Sequence, residues 1–388
     1  MKWKFYSLAF VAGMSILTAC RSDDNNDNDG NGGNGNGNEI ENGTILKGTI
    51  TSDVTLAAGN TYKLSGEYIV EEGATLHIEE GVKIIAVYDD IADYILVKQG
   101  GKINAVGTSD KPIVMTSEKE EPGAWGGIHI CGRAHTNAEG GKGSSEIGGA
   151  VYGGNDDADN SGTLQYIRLE YTGFAFDEEH EANGISFYGV GNGTIVDHCQ
   201  AYKGSDDGFE FFGGSVNVSN LVAVSCSDDS FDWTEGWNGK GTNLVAYQEA
   251  ESTLGYDCDC LMECDNNGSN NAATPVAHPV LKNLILVGNG GSKQGIRLRA
   301  GTEVEIDNAK VCGKGQPLTV ETALTENALK NGTSKLTNIT LTSELSCKEG
   351  IYTHADFIAV TSNKVDANLS YSSFEDIKKE CSWMNGSW

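Results

Sequence analysis

The sequence predicts an all-β solenoid, a chain of short strands stacked as the rungs of one long coil. Three observations predict it. Glycine supplies 51 of the 388 residues, and Asn and Asp are frequent beside it, a composition that turns often. Ser205-Asp206-Asp207-Gly208-Phe209-Glu210-Phe211 aligns with Ser227-Asp228-Asp229-Ser230-Phe231-Asp232-Trp233 at an offset of 22, and Gly214 falls on Gly236 at the same shift. Looser copies of this short strand occur at 127–130, 184–187, 261–264 and 295–298, with second runs at 164–170, 194–201, 218–224, 244–246 and 281–287. Alternation of period two marks a strand with one face buried. A unit that recurs every 20 to 35 residues or so buries that face only by stacking on its neighbours. A propeller blade needs about 40 residues, so the offset is too short for one.

Taken in chain order, Lys2 and Lys4 precede an apolar run at 8–17 and then Leu17-Thr18-Ala19-Cys20. A basic start followed by about ten apolar residues is a secretory signal, too short to cross a bilayer. The four residues ending in Cys20 resemble the lipobox of bacterial lipoproteins, which implies a signal peptide at 1–19 and an acylated Cys20. Residues 21–38 contain no apolar side chain, so 20–38 reads as a lipid anchor and disordered tether. Ser22-Asp23-Asp24 resembles the acidic export signal of Bacteroidota lipoproteins, which implies display on the extracellular side of the outer membrane. No later segment is apolar enough to span a membrane.

Residues 39–319 read as the coil. Runs at 62–70 and 74–78, with Gly73 and Gly81 at turns, resemble the first coils of right-handed single-stranded parallel β-helix proteins, and that fold is the expectation. Insertions at 134–158 and 249–278 break the rhythm and are expected to project from one side and build a binding surface. Residues 320–388 read as a C-terminal capping region, with short helices at 320–330 and 374–381 closing the open end. Ten cysteines less Cys20 leave nine, an odd number, and an exported chain is expected to hold disulfides rather than zinc.

With 27 Lys and Arg against 55 Asp and Glu, the net charge is −28, which excludes nucleic acid as a main partner. The acids are not scattered. Phe209, Phe211, Phe231 and Trp233 are expected to face the core, so alternation sends Glu210 and Asp232 outward on rungs about 4.8 Å apart. Asp206, Asp207, Asp228 and Asp229 occupy the preceding bend, Glu235 follows one strand, and Glu263 and Asp265 belong to the next rung. Carboxylates this close repel one another, and a hard cation such as Ca²⁺, which takes six to eight oxygens or so, removes the penalty.

Asp228-Asp229-Ser230-Phe231-Asp232 resembles the calcium motif of the family nine pectate lyases. The resemblance implies Asp228, Asp229 and Asp232 as ligands, with Asp206, Asp207 or Glu210 completing the set. It also implies a lysine base on the next coil, where this sequence has Met262 or Glu263. Residues 162–248 further resemble exported β-helix proteins of Gram-negative bacteria, a group without an established activity.

Two readings follow. The first is a surface lipoprotein whose lateral groove binds a glycan or host glycoprotein, with outward Tyr188 and Phe212 stacking on sugar rings and Arg299, Glu235 and Glu263 as polar contacts. The second is a Ca²⁺-dependent polysaccharide lyase acting on uronate-containing chains by β-elimination, with Arg297 as the nominated base. A third option is a glycosidase with Glu210 and Asp232 as the acid/base pair, since neighbouring rungs give about the spacing of a retaining enzyme. Arg297 and Arg299 also fit salt-bridge partners of the acids. The scattered histidines form no catalytic grouping.

Overall fold

The computed structural model describes residues 38–89, 91–176 and 180–386. The expected signal peptide, the lipidation site Cys20 and all of the tether but Asn38 lie outside them. Twenty-five strands join in one continuous array, and every pairing within it is parallel, the pattern of a right-handed parallel β-helix. Each full coil carries one short and one long strand. The short strands Ile128–Cys131, Ile185–Tyr188, Phe209–Phe212, Phe231–Thr234, Met262–Cys264, Gln294–Leu298 and Gln316–Val320 stack in that order. The long strands Gly162–Glu170, Ile195–Tyr202, Asn217–Val224, Lys240–Tyr247, Val280–Val287 and Glu305–Cys312 stack beside them.

The core follows from the register. Phe209 pairs with Phe231 and Phe211 with Trp233. The Phe209 and Phe231 rings stack at 5.6 Å and 13°, and Phe187 stacks on Phe211 at 5.0 Å and 9°. Each aromatic that cannot bury itself within a single rung is thus covered by its copy on the next, a geometry worth about 1 kcal/mol per pair beyond area burial.

Every long strand bends once, at a residue with left-handed backbone: Tyr166, His198, Asn220, Asn243, Asn283 and Asn308, at φ of 52 to 63°. Asn tolerates this region better than most residues. The stacked bends also let the side chains bond one another. Asn243 donates to Asn220 at 2.8 Å, Asn283 to Asn243 at 3.0 Å and Asn308 to Asn283 at 2.9 Å.

Three expectations need correction. The coil does not stop at residue 319, because Lys335–Leu341, Ser346–Cys347 and Lys364–Val365 continue its strands. Helices Ala323–Asn331 and His354–Ala359 close the end, placing Leu329 and Phe357 in the main core. The helix Phe374–Glu380 instead lies on the outer face of the long strands, where Ile377, Cys381 and Met384 cover Val222, Val245 and Ile285. The cysteines differ as well. All nine in the described residues are free thiols, eight of them buried, packed as small apolar side chains.

The bend ladder is testable. Asn243→Gly keeps the left-handed bend and loses two side-chain hydrogen bonds, which costs about 1–3 kcal/mol. Asn243→Ala is expected to cost about 1 kcal/mol more, because it also places a Cβ in that backbone region. Urea unfolding midpoints of the two variants measure both steps; equal midpoints would remove the backbone contribution.

Candidate functional site

The outward column of the short strands changes character along the coil. In register it reads His129, Ser186, Glu210, Asp232, Glu263, Arg297 and Thr319. Its central members border an open cavity of about 320 Å³ lined, among the described residues, by ten carboxylates and one cation: Glu146, Glu181, Asp206, Asp207, Glu210, Asp228, Asp229, Asp232, Asp259, Glu263 and Arg297. Every acid expected to bind metal is there, and Glu263 with them.

Asp207 and Asp229 are held by the next rung. Asp207 Oδ1 accepts the backbone N–H of Asp229 at 2.8 Å, and Asp229 Oδ1 accepts that of Cys260 at 2.6 Å. Asn183 donates to Glu210 Oε2 at 2.6 Å. The remaining oxygens crowd together. One oxygen from each of Asp207, Glu210 and Asp232 lies within 4.8 Å of the others, and the same holds for Asp206, Asp207 and Asp228 and for Asp229, Asp232 and Glu263. Asp232 Oδ1 is shielded from solvent and no hydrogen bond from the described residues reaches it.

Electrostatics follow from this crowding. Burial is the largest effect on each acid, and neighbouring carboxylates add to it. Asp207, Glu210, Asp229 and Asp232 are pushed well above the ordinary carboxylate range, with Arg299 opposing the shift at Asp232. Asp206 is raised to about 8, with Asp228 its first charged neighbour. Asp228 is raised to about 6 and Glu146 to about 7.

The arginines take the salt-bridge role. Arg297 binds Glu263 at 2.8 Å and Glu321 at 3.2 Å, and Arg299 binds Glu263 and Asp265, each at 2.7 Å. These contacts raise the Arg297 guanidinium further above its ordinary value, against the burial that opposes it, so Arg297 is a poor base. Lys293 is likewise paired, with Asp259.

Tyr188 and Phe212 are not open to a ligand. They do leave the main core, but the first insertion folds back over them. Its hairpin, Gly143–Ser144 against Val151–Tyr152, buries both in a second cluster with Ile147, Ala150 and Tyr152, and their rings stack at 4.4 Å. Glu235 stands outside the acidic cavity. Its backbone is left-handed at φ 55°, and Oε2 accepts from Thr136 at 2.6 Å and Tyr152 at 2.8 Å.

Three lining acids were not among the expected ones. Asp259 was within reach of the repeat: Asp232 pairs with Glu263, an offset of 31, and the same shift carries Asp228 to 259. Cys260 correspondingly takes the place of Asp229. Glu146 and Glu181 come from segments outside the repeat, and no periodicity points to them.

A family model described as a pectate-lyase like beta helix domain matches residues 48–388. No curated protein and no solved structure matches the chain significantly.

A pH dependence follows. Between about pH 4 and pH 8 the folded chain holds protons on Asp206, Asp228 and Glu146 that the unfolded chain has released, so stability falls as pH rises through that window. Melting in chelator is expected to show a higher Tm at pH 5 than at pH 8, with the slope reduced in Asp206→Asn. A Tm that rises across the same interval contradicts the assignment.

Proposed function

We propose that this chain, which belongs to the pectate-lyase-like β-helix family, binds anionic glycans through a divalent cation seated in the acidic cavity. Family membership supports a carbohydrate-related role. The observation that carries the finer reading is the convergence of ten carboxylates on one open cavity whose lining arginine is already committed to Glu263 and Glu321. The donor set is entirely oxygen and carboxylate-rich, which suits Ca²⁺ rather than zinc. The solvent-shielded Asp232 Oδ1 fits the same role. Asp207, Glu210, Asp229 and Asp232 would hold the ion, with Asp206, Asp228 and Glu263 around it. When bound, the ion supplies positive charge and open coordination positions for a uronate carboxylate.

Around that ion, this chain's own residues orient and exclude. Asn183 fixes Glu210, the backbone of the neighbouring rungs fixes Asp207 and Asp229, and the hairpin closes one flank with Glu146. A β-elimination would need a base facing the sugar. Arg297 and Lys293 are both ion-paired, so binding without cleavage is the reading preferred. With a lipid on Cys20 and export to the outer face of the outer membrane, such a protein would hold polysaccharide or glycoprotein at the cell surface.

Calorimetry with CaCl₂ is expected to show binding in the wild type and at least about a tenfold weaker Kd in Asp232→Asn. Affinity electrophoresis in polygalacturonate is expected to show retardation that needs Ca²⁺ and is lost in the variant. Unsaturated uronate product appearing during incubation, and absent with Asp232→Asn, would favour the lyase. Absence of Ca²⁺ binding would remove the cation from the proposal.

A further inference from the structure

A second cavity, of about 700 Å³, lies beside the acidic one. Thr234 lines it from the same short strand that brings Asp232 to the acidic cavity. Two residues apart on one strand, the pair face the same way at a separation of about 6.6 Å. The two cavities meet across a tyrosine pair. Tyr188 donates to Glu146 of the acidic cavity at 3.3 Å, Tyr152 donates to Glu235 of the second at 2.8 Å, and their rings are 5.2 Å apart.

Both insertions build this cavity, Asn137 and Glu139 from the first and Asn267, Ser269 and Asn270 from the second, and among the described residues no cation lines it. Its wall is fixed in advance. Asn137 Nδ2 donates to Asn266 Oδ1 at 2.8 Å and to the Pro275 carbonyl at 3.0 Å, and Asn137 Oδ1 accepts from Asn267 at 3.0 Å. Asn266 is fully buried and spends its own amide on the Asn271 and Ala273 carbonyls. Ordering such a wall in the free protein reduces what binding must later overcome.

With the Asn137 amide spent in the wall, the Thr234 and Ser269 hydroxyls and the Asn270 amide of the exposed turn remain to face a ligand, donors and acceptors together, the chemistry that matches the hydroxyls of a sugar. A uronate here would instead meet Glu235 and Glu139 with no counter-charge, which selects against it. We infer that the second cavity holds a neutral sugar unit next to the uronate of the acidic cavity, so the preferred ligand is a heteropolysaccharide in which acidic and neutral units alternate. The inference rests on the cation-bridged uronate reading of the acidic cavity and adds a specificity to it.

The test uses three hexasaccharides with saturating CaCl₂: a galacturonate homopolymer, a rhamnose–galacturonate alternating chain, and a hyaluronan fragment of alternating glucuronate and N-acetylglucosamine. The expected result is about tenfold tighter binding of at least one alternating chain than of the homopolymer. Gly268→Trp would fill the second cavity from an exposed turn where an added Cβ meets only Asp265 Oδ2 at 3.9 Å. That variant should lose the preference while its Ca²⁺ affinity and homopolymer affinity stay within about twofold. Glu235→Gln is the second variant, expected to narrow the preference by letting the homopolymer bind more tightly, since it removes one of the two charges that reject a uronate. Equal affinity for all three chains, or a preference that survives Gly268→Trp, overturns the second cavity's role and leaves the acidic site standing. Failure of every chain to bind while Ca²⁺ does overturns the parent reading as well.

Discussion

Parallel stacking at one fixed rung spacing governs this molecule. Whatever residue a coil carries at a given position is brought within van der Waals reach of the residue at that position in the next coil. Inside, the consequence is favourable: Phe209 covers Phe231 and Phe187 covers Phe211, so repetition of an aromatic builds the core. At the bends it is favourable too, because one Asn amide both donates to one neighbour and accepts from the other. On the outer face of the short strands the same rule stacks Glu210 on Asp232 and Asp232 on Glu263. There the spacing sets like charges against each other, and the fold has no freedom to relieve them by moving one rung.

The inside and the outside therefore differ in how much of them the sequence discloses. Alternation and the offset of 22 were enough to place the strands, the inward aromatics and the core of the acidic column, because those features depend only on position within the repeat. The bend asparagines at 220, 243, 283 and 308 recur once per coil, but in a chain rich in Asn an isolated asparagine within a strand run reads as a solvent-facing polar residue and does not disclose a bend. Tyr188 and Phe212 show what alternation does not disclose. Alternation correctly turned them out of the main core, but exposure is decided by what lies on top. The segment that covers them, residues 143–152, has no periodicity to say where it folds. Glu146 entered the acidic cavity by the same route.

Insertions thus do two opposite things on a solenoid of this kind. The hairpin removes an aromatic surface from solvent and trades it for a carboxylate. The second insertion supplies the next rung itself, Met262–Cys264, along with Asp259 and the turn at 267–270. Their contact through Asn137, Asn266 and Asn267 ties segments about 130 residues apart in sequence. Such a join turns two loops into one rigid wall, and a wall of satisfied amides leaves specificity to the groups that still face outward.

The order of residues along the outer column then decides what kind of site results. His129 and Ser186 on one side are neutral neighbours. On the other side Arg297 and Arg299 are drawn into pairs with Glu263, Asp265 and Glu321. Direct ion pairing along the column consequently ends at Glu263, one rung short of Asp232 and two short of Glu210. Had an arginine stood at the Asp232 position, the column would neutralise itself and the cavity would be a salt-bridge ladder with nothing to bind. Because the cations stop where they do, the acids at 206–232 retain a charge the protein does not balance. Protonation relieves that repulsion in the free chain; a bound cation would relieve it as well and, unlike a proton, would leave coordination positions through which an anionic sugar could be held by an anionic protein.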